Sequence, residues 1–306
     1  MFYFAVENPA AFCYNRAMKF NVGLAQIAPV LGDVPANLAL HHEVIGDAQA
    51  RGVDLLIFPE LALTGYGLGD RVYDVAIRAA ADDPIFADLL AASEQLDLVT
   101  SFVEVDERHR LYISAAYLCG GRLVHLHRKI YLPTYGLFNE SRHFTPGGSA
   151  RAFDTRFGRM GLLICEDLWH ASLPYVLWQD GADILILISA SAEHGQGEAL
   201  STAGKVLSMT RAYALQFTDF VIHVNQTGRD DIGRYWGGSV IYGPDAAVIV
   251  QGPRDEPAVV VGEIDTALLA PARRALPLLR DERPDLVIRE LRRIAKKERA
   301  SAERAD

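Results

Sequence analysis

Residues 160–188 read MGLLICEDLWHASLPYVLWQDGADILILI: two apolar runs, 160–164 and 184–188, with room for one helix at 174–179 between them. Each run has the length of a strand. Neither alternates with polar residues, so both faces of each must be covered, as in parallel strands flanked by helices. The same unit recurs upstream. Residues 19–28 alternate as far as Pro29, a turn at Gly32 and Asp33 leads into helical spacing over 35–50, and 53–58 is a strand that is apolar except for Asp54. Asp82 or Asp83 before Pro84 marks a second helix start, with the helix running to about Asp97 and a strand at 98–105.

Antiparallel pairing enters with 111–118 and 123–129, which flank Cys119, Gly120 and Gly121 as the arms of a hairpin. A long helix is expected over 198–216. Strands follow near 220–224, 238–242, 246–251 and 258–264, the second and third joined by a Gly243-Pro244-Asp245 turn. Strand-helix-strand units combined with hairpins predict an α/β fold of packed mixed sheets covered by helices.

No internal repeat or low-complexity stretch is read. The 306 residues, half of them hydrophobic, suffice for one large domain, placed at 18–270. Residues 1–17 lack a basic start and a long apolar stretch, and Met18 follows them. They read as a leader, disordered or an artefact of the start site, and not as a signal peptide. Residues 271–306 are rich in Arg, Glu and Lys, with Leu286, Ile288, Leu291 and Ile294 among them, and read as a charged helical tail that is either solvated or docked on a second subunit.

A formal net charge of -9 removes the electrostatic footprint of a nucleic-acid binder. The longest apolar runs are strand-length, so no membrane span is predicted. Cys13, Cys119 and Cys165 are an odd count at wide separations, which fits a reducing cytoplasm better than a disulfide framework. His125 and His127 alternate on one strand without a third ligand nearby, so no metal is assigned, and no organic cofactor.

Cys165 directly follows an apolar strand, where an α/β scaffold presents a side chain to a cleft. A lone cysteine there is as readily a small buried hydrophobe. Glu60 leaves the strand at 53–58 and Lys129 closes the one at 123–129; singly, each is an ordinary surface charge. Together they offer a base to deprotonate a thiol, a cation to stabilise a thiolate and an oxyanion, and a nucleophile for a carbonyl or nitrile carbon. A histidine partner for the thiol, drawn from His143, His170, His194 or His223, is the competing arrangement.

Three segments carry a resemblance: Phe58-Pro59-Glu60-Leu61 with Thr64-Gly65-Tyr66, His127-Arg128-Lys129-Ile130-Tyr131-Leu132-Pro133, and Gly161-Leu162-Leu163-Ile164-Cys165-Glu166-Asp167. In order and spacing they resemble the blocks of the nitrilase (carbon-nitrogen hydrolase) superfamily. The resemblance implies a four-layer α-β-β-α sandwich with two mixed sheets. It also implies Glu60 as general base, Lys129 as oxyanion-stabilising cation, Cys165 as nucleophile, and Glu140 as a second glutamate that positions the lysine and the substrate. The Glu166 backbone N–H is expected to help hold the oxyanion. The implied path is a thioester, release of ammonia or an amine, then hydrolysis.

Residues 129–144 and Cys165-Glu166-Asp167-Leu168-Trp169 look most like the glutaminase domain of glutamine-dependent NAD synthetases, here as a free-standing domain. Ser189-Ala190-Ser191-Ala192 stands where that group has an Asn-Ala-Ser-Pro type turn. No synthetase module with a Ser-Gly-Gly phosphate loop is read. The expected substrate is therefore a small primary amide, with glutamine a candidate. A nitrilase, an N-carbamoyl amidohydrolase and a glutaminase-like subunit feeding a separate synthetase remain alternatives. Tyr66, Tyr135, Phe138, Glu166, Trp169 and Ser191 are candidate substrate contacts, with Trp236, Gly237 and Gly238 further candidates; ordinary core packing is the competing reading of the aromatics. The superfamily also suggests a homo-oligomer.

Overall fold

The structure, a computed structural model, describes residues 17–136, 138–193 and 201–302. Cys13, His194, nearly all of the leader and the start of the helix expected at 198 lie outside the described residues. β1 (Lys19–Gln26) leads through α1 (Val34–Ala50) to β2 (Leu55–Ile57), and α2 (Pro84–Ala92) leads to β3 (Asp97–Val105). These three strands run parallel, and β4 (Leu111–Cys119) and β5 (Arg122–Arg128) extend them as an antiparallel hairpin.

The second half repeats this plan without a repeat in the sequence. β6 (Phe153–Thr155) pairs antiparallel with β7 (Gly158–Ile164); α3 (Ser172–Gln179), β8 (Ile184–Ser189), α4 (Thr202–Phe217) and β9 (Phe220–Asn225) complete a second set of three parallel strands. A separate hairpin, β10 (Thr227–Arg229) and β11 (Arg234–Trp236), follows. β12 (Val240–Tyr242) and β13 (Val248–Gln251) continue the second sheet, and β14 (Ala258–Asp265) returns to pair antiparallel with β1. The result is two six-stranded mixed sheets, β14-β1-β2-β3-β4-β5 and β13-β12-β9-β8-β7-β6. From Leu269 the chain is mainly helical: α5 (Leu269–Ala275), α6 (Leu278–Asp281) and α7 (Pro284–Ala302).

Side-chain alternation sets the layers. On β8, Ile184, Ile186 and Ile188 join Val22, Leu24, Ile57 and Val99 of the first sheet in the central core, while Leu185 and Leu187 pack with Leu177 and Val206 of α3 and α4. On the first sheet, Leu56 and Leu98 turn the other way, toward Val44 and Phe86 of α1 and α2. This is the α-β-β-α sandwich that the motifs implied. Helix starts follow local chemistry: Asp33 accepts the Ala36 N–H at 3.0 Å, Asp83 accepts those of Ile85 and Phe86, and a proline sits in each first turn.

Several boundaries differ from the sequence reading. α2 stops at Ala92 and not near Asp97, because the tip of the β4–β5 hairpin caps it: Ser93 O accepts the Gly120 N–H at 2.9 Å and Ser93 Oγ that of Gly121 at 3.2 Å. β12 begins at Val240, after Gly237 and Gly238 adopt φ values of 64° and 63° that break the strand. β6, β10 and β11 have three residues each, too few for a periodic signal. Among the described residues no helix is long and apolar enough to cross a membrane.

Ile186 is fully buried between the sheets. Replacing it with Ala is expected to cost about 2–5 kcal/mol through lost transfer energy and an unfilled cavity, read as a lower urea midpoint.

Candidate active site

Glu60, Lys129 and Cys165, three of the candidate catalytic residues, stand at or just beyond strand ends, the position where α/β sheets hold their ligand sites. Glu60 lies three residues beyond β2, in a turn fixed by Leu61 at φ 50° and by its N–H bond to Ser101 Oγ at 3.0 Å. Lys129 comes directly after β5. Cys165 comes directly after β7 at φ 46°, in the left-handed region, and opens a single 3₁₀ turn, Cys165–Trp169. Glu140 opens another, Glu140–Arg142.

Lys129 Nζ donates to Glu60 Oε1 at 2.8 Å and to Glu140 Oε1 at 2.6 Å. Glu60 Oε2 accepts the Ala190 N–H at 2.8 Å, and Glu140 Oε1 also accepts from the Tyr66 hydroxyl at 2.5 Å. Lys129 is only 1% exposed. Burial disfavours its charge, but the Glu140 and Glu60 carboxylates outweigh that penalty and hold the ammonium well above the usual lysine range. Burial lifts the Glu140 carboxyl to about 7 against the pull of Lys129.

The Cys165 thiol is pushed well above its ordinary value by its enclosure and by the Glu60 charge, with Lys129 acting in the opposite direction. The sulfur is thus a neutral thiol at rest, within the fields of a carboxylate and an ammonium. It opens on a cavity of about 260 Å³. Tyr66, Tyr135, Phe138, Glu166, Trp169 and Ser191, all six candidate contacts, line this cavity with Cys165. Phe138 meets Tyr66 and Tyr135 edge-on, each pair at 6.1 Å between centroids. The Tyr135 hydroxyl reaches both Glu166 oxygens, at 3.0 and 2.8 Å.

Pro133, Ala192, Thr202 and Lys205 also face the cavity; the first two lie in segments already picked out from the sequence, whereas Thr202 and Lys205 reach it because α4 packs over the second sheet. Trp236 is buried behind Ser191, with Gly237 and Gly238 beside it. The competing histidines have other neighbours: His143 faces Asp70, His170 stacks on Tyr131, and His223 contacts Ser189 Oγ. Among the described residues no cluster of three or more His, Cys, Asp or Glu is arranged to hold a metal ion.

Two positions that fix the geometry were not singled out from the sequence. Asp167 Oδ1 accepts the N–H groups of Ile130 and Tyr131, both at 3.0 Å, and Oδ2 accepts from His127 Nε2 at 2.8 Å and from the Ile164 N–H at 3.2 Å. One buried carboxylate thereby ties the chain on both sides of Lys129 to the residue before Cys165. Gly147 donates to Lys129 O at 2.8 Å, and a Cβ on it would lie 2.1 Å from Arg128 O. At Gly148 a Cβ meets nothing within 4 Å. Gly147→Ala is accordingly expected to cost at least about 1–3 kcal/mol by overpacking, and Gly148→Ala to be near neutral, in paired urea titrations.

A sequence model of the carbon-nitrogen hydrolase family matches residues 21–274. The glutamine-dependent NAD(+) synthetase of Acinetobacter baylyi is 27% identical over 248 residues, covering 81% of this chain and 44% of that protein. The chain spans about half the length of the curated NAD synthetases it matches. An omega-amidase of Arabidopsis thaliana is 31% identical, over 88% of this chain and 73% of its own length. Among solved structures, Saccharomyces cerevisiae Nit3, a member of the nitrilase superfamily, superposes with a TM-score of 0.76 at 21% identity, over 85% of this chain and 95% of Nit3. With a family match spanning nearly the whole sandwich, the chain belongs to the carbon-nitrogen hydrolases of the nitrilase superfamily, enzymes that act on C–N bonds.

Proposed function

We propose that this enzyme hydrolyses a small primary amide through a thioester on Cys165, releasing ammonia and then a carboxylate. The observation that carries the reading is a sealed Lys129 held between Glu60 and Glu140, beside a thiol that is neutral at rest. A neutral thiol needs a base at the moment of attack. Glu60 takes its proton as the sulfur bonds to the amide carbon, and the former carbonyl oxygen gains the negative charge.

Lys129 and the backbone N–H of Glu166 stabilise that oxyanion; losing one such donor typically costs roughly a hundredfold or more in rate. Glu60 then passes the proton to the departing nitrogen, the C–N bond breaks and ammonia leaves. Water attacks the thioester with Glu60 again as base, and the proton returns to the sulfur. Glu140 holds the Lys129 ammonium in place, and Tyr66 holds Glu140.

Support for an amide with a polar far end comes from the cavity wall, where Glu166, Ser191 and Lys205 supply an acid, a hydroxyl and a cation. Glutamine and related amides fit this lining. A second reading, a glutaminase-like subunit that hands ammonia to a separate synthetase, draws on the match to NAD synthetases over about half of their length. Ammonia release by the purified chain with no partner present counts against a dependent subunit. Self-association, as the superfamily resemblance suggests, is tested by a sedimentation profile.

Cys165→Ala is expected to abolish ammonia release across a panel of primary amides, nitriles and carbamoyl compounds. Intact mass spectrometry of the wild-type enzyme after brief exposure to its substrate should find an acyl adduct on Cys165. Turnover by the alanine variant would remove Cys165 from the mechanism. A pH dependence follows from Glu140, whose carboxyl ionises across the neutral range. Once ionised, two carboxylates share one ammonium, so Glu60 retains charge with which to draw the thiol proton. kcat/KM is expected to rise as pH climbs through about 7, and Glu140→Gln should lose that step; a wild-type profile flat from pH 6 to 8, measured at roughly half-unit intervals, contradicts this.

A further inference from the structure

Ser191 lines the cavity with Cys165, and its polar atoms are nearly all committed. Its backbone N–H donates to Asn225 Oδ1 at 2.9 Å, and its carbonyl accepts from Asn225 Nδ2 at 3.4 Å. Its Oγ accepts from Trp236 Nε1 at 3.2 Å. An indole nitrogen is only a donor, whereas a hydroxyl has one proton and two lone pairs. Trp236 therefore occupies a lone pair and leaves the Ser191 proton to be donated elsewhere. Among the described residues that hydroxyl donates no hydrogen bond to a protein acceptor.

The indole has little freedom to release its grip. Trp236 is 1% exposed, its ring lies against His223 at 5.6 Å between centroids, and its main-chain oxygen accepts the Asp255 N–H at 3.1 Å. Gly238, at φ 63°, passes so close that a Cβ there would lie 2.8 Å from the indole Cζ3. The backbone between them is also tied, since Asn225 Nδ2 donates to Gly237 O at 3.2 Å. The polarity of one cavity hydroxyl is thus set by a side chain that does not line the cavity.

We propose that Trp236 is a positioning residue for specificity: acting through Ser191 Oγ, it presents a fixed hydroxyl donor to the cavity, so that the enzyme favours amides whose non-reacting end offers an acceptor oxygen. Lys205 on the same cavity wall makes a carboxylate the preferred acceptor. The inference rests on the amidase reading above. The bond-breaking steps belong to other residues.

The test compares kcat and KM of the full chain for two primary amides of equal length, glutaramate, which ends in a carboxylate, and pentanamide, which ends in a methyl group. Wild-type enzyme should prefer glutaramate. Trp236→Phe keeps the ring and removes the N–H; it should lower the glutaramate-to-pentanamide ratio of kcat/KM by about tenfold, the scale of one hydrogen bond to a charged group, through KM and not kcat. Ser191→Ala should lower the ratio at least as much, and the double variant no further than Ser191→Ala alone.

A wild-type enzyme indifferent to the carboxylate, a Trp236→Phe ratio equal to that of wild type, or additive losses in the double variant would each overturn the inference while leaving the amidase reading intact. If Trp236→Phe does not fold, Ser191→Ala decides, and an unchanged ratio in that variant overturns the proposal. Absence of any turnover and of any Cys165 adduct in the wild type sinks the amidase reading and this inference with it.

Discussion

The interaction on which the rest depends is the division of one buried ammonium between two carboxylates. Charge taken out of water costs several kcal/mol per ion, and removing one member of such a set typically costs 3–5 kcal/mol because the remainder is left uncompensated. Lys129 can be sealed in only if Glu60 and Glu140 arrive with it, and Glu60 can be sealed in only with the Ala190 N–H on its other oxygen. Four chain segments must therefore close on one point: the turn after β2, the end of β5, the loop that carries Glu140, and the end of β8.

The scaffold meets that demand with carboxylates that gather N–H and O–H donors from distant segments, and with one close backbone approach. Asp167 takes four N–H bonds and so joins the β5 end to the β7 end. On the other flank, Asp230 at the tip of the β10–β11 hairpin accepts from the Gly67 N–H at 3.1 Å and from the Tyr235 hydroxyl at 2.7 Å, which steadies the loop bearing Tyr66. Gly147 lets its own loop run against the main chain of Arg128. The left-handed turn at Cys165 stores a modest strain, of the order of 1–3 kcal/mol for such residues, and aims the thiol into the cavity.

Much of this was legible in the sequence. The apolar runs at 160–164 and 184–188 announced buried parallel strands, Asp33 and Asp83 before their prolines announced helix starts, and the Gly-rich turn after Cys119 announced a hairpin. Glu60, Lys129 and Cys165 could be picked out because strand ends are visible as the points where apolar runs stop. What could not be read depended on distant segments meeting. The end of α2 is decided by Gly120 and Gly121, some thirty residues later in the chain. Lys205 enters the cavity wall by virtue of helix packing, Gly147 looks like any loop glycine, and Asp167 looks like an ordinary helix-start acid until its four donors are counted. Three-residue strands carry no period to detect.

The sandwich has one further implication. Glu60 and Lys129 ride on one slab of strands, while Cys165 and Ser191 ride on the other. The gap between acid and sulfur is therefore gauged by the thickness of the isoleucine and valine filling that separates the slabs. A methyl group added or removed in that filling, far from Cys165, would reset the gauge, and so the oily middle acts as the spacer of the proposed chemistry.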